Sequence, residues 1–346
     1  MLGPFGWSAV LTQWQFAPVV TAAVVVSGGL YGWGVARVAR QHPARPWPAW
    51  RTAMFAAGLA VIVISTQSGI GVYDDLLFWD HMVQHLMLIM VAPPLLIFGQ
   101  PITLLLHASR NPVHSWAKRL VRSKVATFLT WPVFGVATYA AAIAAAHLTG
   151  VANLVEQNQT AHNLEHAGFL IVGYLFFLPI LGREPVRWKL SYPIRFVVLV
   201  LIMPVDTFTG LVLGYGSATS PGIPTGARPA WAGSAVQDLH LGGAVMWIAG
   251  DGLMFGLMML VFLMWSTDER AGSQGRSWFE QARRENLASL VASHLGSAGM
   301  AGTDAATSDP GAELPSGHGG IDDDEHLAAY NAYLARLNRQ PPETAR

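Results

Sequence analysis

Long apolar runs separated by short polar loops organise most of the chain. Seven runs stand out, at about 16–38, 52–72, 80–106, 125–147, 162–181, 194–214 and 240–265. Each is about 20 residues or longer, enough to cross the hydrocarbon core of a bilayer as a helix. Prolines inside them, such as Pro93, Pro94 and Pro204, are tolerated in membrane helices whose neighbours satisfy the freed carbonyls. The pattern predicts an all-α fold: a polytopic membrane bundle of seven transmembrane helices over residues 1–265. Residues 1–15 lack a basic stretch and a cleavage site, so a cleaved signal peptide is not expected.

The pattern changes after residue 265. Residues 266–346 read as an acidic tail. An amphipathic stretch at Ser277–Leu295 places Phe279, Leu287, Leu290 and Val291 on its apolar side. Residues 296–323 are rich in Gly, Ser, Asp and Pro, a composition that favours disorder. Asp324–Arg339 has Leu327, Tyr330, Leu334 and Leu337 at helical spacing, behind acids Asp324 and Glu325.

Charge gives the helices a direction. The chain balances 21 basic against 21 acidic residues, with only 12% charged, about half the share usual in soluble domains. That neutrality sums two unlike parts: 9 acidic and 14 basic residues up to 265, then 12 acidic and 7 basic. Thirteen of the 14 basic residues fall in the loops after spans 1, 3 and 5; the alternate loops hold only Arg228. By the positive-inside rule those three loops are cytoplasmic, the N-terminus is outside and the tail is cytoplasmic. Zero net charge also removes the basic footprint of a nucleic-acid partner.

The chemistry lies with histidine. The absence of cysteine excludes thiolate metal sites and Cys nucleophiles. Six of the 12 histidines, His81, His85, His147, His162, His166 and His240, fall at the outer ends of spans 3, 4, 5 and 7. His81/His85 and His162/His166 are i, i+4 pairs, so each pair shares one helix face. This is a common way for a helix to offer two metal ligands. Asp74, Asp75, Asp80, Glu165 and Asp238 lie on the same side and can orient the imidazoles. Met82 points to another face and reads as packing. Two carboxylates are deeper. Asp206 in span 6 is within reach of an outer metal site; Asp251 in span 7 is too deep. An imidazole and carboxylate set leaves copper, zinc and haem iron open.

No GxSxG, HExxH or P-loop is present, so an enzyme is not expected. The only lysines, Lys118, Lys124 and Lys189, lie in inner loops, which excludes a retinal Schiff base. A b-type cytochrome with two imidazoles on haem and a copper permease are the alternative readings.

One block carries a family resemblance. The stretch from His81-Met-Val-Gln-His85 through Ala92-Pro-Pro to Gly99-Gln-Pro101 resembles the signature of the polytopic CtaG-like cytochrome c oxidase assembly factors. His162–His166, Leu178–Gly182 and Gly242–Trp247 are further matches, over about residues 15–265. The tail at Tyr330-Asn-Ala-Tyr333 is similar to actinobacterial members. The resemblance implies a bacterial multi-pass plasma-membrane protein that matures a haem–copper oxidase, with copper bound at an outward histidine site. Its implied partners are oxidase subunits, the lipid bilayer and a copper donor protein. The metal ligands it implies are His81 and His85, then His162 and His166, then His240; His147 and Asp206 join them as candidates by their position in the spans alone.

Overall fold

The computed structural model describes residues 3–220 and 228–298. The chain divides into two compact units, Met1–Gly275 and Arg276–Arg346. Among the described residues every regular element is helical and no strand occurs. The main helices are α1 (Pro18–Gln41), α2 (Ala49–Gln67), α3 (Phe78–Leu86), α4 (Ala92–Phe98), α5 (Pro101–Ala108), α6 (Pro132–Leu148), α7 (Gln159–Leu181), α8 (Tyr192–Gly214) and α9 (Ala235–Ala298). A π-helical turn, Met87–Val91, joins α3 to α4. The Ser277–Leu295 stretch falls in α9, whereas the expectations for residues 299–346 lie outside the described residues.

Six helical stretches are long and apolar enough to cross a membrane: Pro18–Gln41, Ala49–Tyr73, Phe78–Ala108, Gln159–Leu181, Tyr192–Gly214 and Ala235–Asp268. The expected fourth span, 125–147, differs. It divides into Lys124–Leu129 and α6, which has 17 residues. Pro132 has no N–H to continue a helix, and Trp131 before it is extended at φ −69°, ψ 126°. The resulting helix is roughly 26 Å long against a hydrocarbon core of about 30 Å.

Apolar side chains gain little from leaving lipid for protein, so close packing must hold such a bundle together. The core contains Ile89, Ile97, Tyr139, Phe176, Phe177 and Leu199. Glycines bring the backbones close. A Cβ on Gly173 of α7 would lie 2.2 Å from the Ile89 carbonyl oxygen in the π turn. Gly243 of α9 packs likewise on Gly214 and Gly210 of α8.

The loops carrying the 13 basic residues meet at one end of the bundle. There Trp47 lies against His107, Trp188 donates to the Thr127 carbonyl (2.8 Å), and Arg183 pairs with Asp268 (3.3 Å). Glu184, buried between these loops, accepts the Ile102 and Thr103 N–H groups (3.1 and 2.8 Å) and caps α5. Burial pushes its carboxyl above the usual range, against the lowering effect of the Thr103 hydrogen bonds.

A candidate metal centre of paired histidines

The opposite end of the bundle gathers the histidines. Its geometry starts at the first turn of α3, whose leading N–H groups have no partner within the helix. Asp238 of α9 supplies one, accepting from Phe78 N–H (2.9 Å) and Trp79 N–H (3.1 Å). Arg228 binds the same carboxylate at 2.7 Å. Asp238 therefore fixes the start of α3, and with it His81, instead of orienting an imidazole as its position suggested. Gln84, between the two histidines, donates to the Ser65 carbonyl of α2 (2.9 Å). On α7, Asn158 accepts from the N–H groups of Thr160 and Ala161 and starts the helix that presents His162 and His166.

Five of the expected residues come together. Ring centroids lie 4.0 Å apart for His81–His85, 4.3 Å for His162–His166 and 5.2 Å for His81–His162. His166 lies 6.4 and 6.0 Å from His81 and His85. His147 of α6 joins through His85, with His85 Nδ1 and His147 Nε2 3.2 Å apart. Donor atoms of Asp74, His81, His162 and His166 all lie within 4.8 Å of one another, as do those of His81, His85 and Glu165. His81 is common to both sets.

Hydrogen-bond logic assigns the tautomers along one edge. His147 Nδ1 lies 2.9 Å from the Ile143 carbonyl, which can only accept, so Nδ1 carries the hydrogen. In the neutral ring Nε2 is then an acceptor, and His85 Nδ1–H donates to it. That leaves a lone pair on His85 Nε2, which faces Glu165 Oε2 at 3.3 Å. A proton or a metal ion reconciles two such facing acceptors. The Nε2 atoms of His85, His162 and His166 and Oε2 of Glu165 are all buried without a hydrogen-bond partner. His162 lies near two carboxylates, 3.7 Å from Asp74 and 3.5 Å from Asp75. Asp74 sits in the turn between two spans. Burial, reinforced by the neighbouring charge of Asp75, pushes its carboxyl up to about 8.

The other two expected ligands lie elsewhere. His240 bonds the Gly216 carbonyl through Nε2 (2.8 Å) on the exposed surface. Asp206 is fully buried and accepts from Tyr139 O–H at 3.4 Å. Tyr139 precedes His147 by two turns of α6, which puts Asp206 roughly 12 Å deeper. Asp251, beside it on α9, accepts from Thr207 Oγ1 (2.8 Å). Met82 packs in the core against Gly242, as its place on α3 predicted. Both oxygens of the buried Asp80 lack hydrogen-bond partners. Sequence reading placed Asp74 and Glu165 behind the histidines, but the structure sets their oxygens among the atoms that could hold a metal. The signal available was local: Glu165 lies within the His162–His166 turn, and Asp74 lies in the turn four residues before α3.

Residues 29–268 match the model of the cytochrome c oxidase caa3 assembly factor family. Uncharacterized proteins of Mycobacterium bovis and Mycobacterium tuberculosis are each 30% identical over 275 residues, and one of Mycobacterium leprae is 29% identical over 266. The matches cover 75% of this chain and 40% of each relative, so the chain spans under half the length of the curated relatives it matches. No solved structure matches. The chain belongs to the cytochrome c oxidase caa3 assembly factor family.

Proposed function

We propose that this protein binds copper at the His81, His85, His162, His166 and His147 cluster and delivers it to a haem–copper oxidase subunit during assembly. The role is non-catalytic, and copper is cargo. The observation that carries the reading is the set of buried atoms without a hydrogen-bond partner: three imidazole Nε2 atoms and one carboxyl oxygen, from α3 and α7. Imidazole and carboxylate donors suit copper among other first-row ions; copper is chosen here because an assembly factor for a haem–copper oxidase has a client that needs it. A site made of two overlapping ligand sets suits release better than a closed tetrahedral cage does.

The same proposal places seven helices across a bacterial plasma membrane. Helix α6 is the short seventh, the N-terminus is outside and the acidic tail, residues 266–346, is cytoplasmic. The 13 basic residues at the end opposite the histidines support this orientation by the positive-inside rule. The histidines then face outward, toward oxidase subunits and a copper donor protein. His240 and Asp206 are not needed as ligands in this reading.

The test is to load the purified protein with Cu(I) and compare wild type with His81→Ala/His85→Ala. The variant is expected to lose most of its copper; equal stoichiometry would overturn the site. A deletion strain whose oxidase keeps its full copper content would overturn the assembly role.

A further inference from the structure

A cavity of about 770 Å³ runs beside the histidine cluster, between α1, α2, the α3–α4 segment and α7. One end is polar and includes Asp74, Asp75, His162 and His166; the other reaches Tyr174 and Pro101. From His162 to Tyr174 is twelve residues of α7, roughly 18 Å. The wall between is apolar, with Val20, Val24, Leu59, Leu88, Leu96 and Leu170. Helix α1 leans on α2 and α5, while α7 leans on α4, the π turn and α6; the cavity is the slot between the two groups. Ala23 of α1 and Ala167 of α7 line it and are exposed, and Val19 at its rim is 82% exposed. In a membrane this slot opens sideways onto lipid.

The polar end restricts what can enter. It carries two acidic side chains, and among the described residues no lysine or arginine lines the cavity. A phosphate head would meet acids without a countercharge. A neutral head that donates hydrogen bonds meets the carboxyl oxygens of Asp74 and Asp75 and the unpartnered Nε2 atoms of His162 and His166, which accept in the Nδ1–H tautomer. We propose that this slot binds a membrane-dissolved amphiphile with a neutral, hydrogen-bond-donating head and a long apolar tail, the chemistry of a lipid-soluble hydroquinone. The head lies at the Asp74–His162–His166 end and the tail runs along α7 toward Tyr174. The tail wall contains none of the five histidines, but the head shares His162 and His166 with the proposed copper site, so the amphiphile is expected on the metal-free protein.

The test uses the purified full chain in detergent and a hydroquinone bearing a decyl tail. Wild type is expected to bind it saturably. Ala23→Trp/Ala167→Trp, which fills the slot from two exposed positions, is expected to weaken binding at least tenfold and leave copper stoichiometry unchanged. Ala23→Trp alone serves as the comparison if the double variant fails to assemble. Equal binding by wild type and variant would overturn the proposal. So would preferential retention of an anionic phospholipid in competition, or a Soret band showing haem in the slot. Loss of copper in the histidine variant reads the metal site separately, so failure of one idea is distinguishable from failure of the other.

Discussion

At the residue scale, Asp74 gives the proposed metal site a pH dependence that can be measured. Its carboxyl, pushed up to about 8 by burial and by Asp75, holds its proton at pH 7. A metal ion that takes Asp74 as a ligand must displace that proton. Binding should therefore tighten as pH rises from 6 toward about 8, by up to about tenfold per unit, and level off above. Chelator competition with Cu(I) across pH 6–9 measures this. Asp74→Asn should flatten the curve; an unchanged slope in that variant would show that Asp74 is not a ligand. Of the residues themselves, the two HxxxH pairs were legible in the sequence because i, i+4 spacing fixes a shared face on any helix. His147 was legible as a residue at the same end, but its contact with His85 was not, because that depends on where α6 crosses α3. Nor was the separation of His240 and Asp206 from the cluster. Both lie at plausible positions along their spans, but only tertiary packing says which neighbour each one meets.

Among the elements, the π turn at Met87–Val91 and the glycine opposite it decide whether the two histidine helices meet. A π turn inserts one extra residue and shifts the register of the helix beyond it. Here it brings the Ile89 carbonyl against Gly173, where a Cβ would stand at 2.2 Å from backbone oxygen. Gly173→Ala must push α7 away from α3, at a cost of about 3 kcal/mol by the scale of overpacked cores. Its Tm in detergent should fall and its copper content with it. Gly168→Ala, five residues earlier on the same helix and with nothing within 4 Å, is the matched control. It should keep its copper and gain up to about 1 kcal/mol from helix propensity. If the two variants behave alike, the close approach is not what positions α7. Six of the seven predicted spans recur as helices of membrane-crossing length. The fourth was misjudged at its start because an apolar run does not reveal where a Trp-Pro pair breaks the helix.

On the scale of the whole molecule, the separation of charge and chemistry between the two ends is the main feature. Basic loops and the Glu184 cap occupy one end, imidazoles and carboxylates the other. With no native cysteine, single-cysteine variants report orientation cleanly. Ser217→Cys lies in the loop beside His240, and Ser115→Cys among the basic loops; both positions are exposed. A membrane-impermeant maleimide should label the first in intact cells and the second only after permeabilisation. The reverse pattern would invert the proposed orientation and turn the histidine cluster toward the cytoplasm.

The sequence by itself determined the class of the molecule. Apolar length fixes membrane helices because unpaired backbone groups cannot be left in lipid, and the placement of Lys and Arg fixes the expected sidedness. Helical spacing made the paired imidazoles visible before any fold was known. Tertiary structure alone decided which donors share a site. Asp74 and Glu165 enter among the candidate donor atoms, His147 joins through His85, and Asp206 stays deeper beside Tyr139. The slot along α7 likewise has no signature in the sequence: it is a gap between helices, set by how they lean on one another and not by the residues of any one of them.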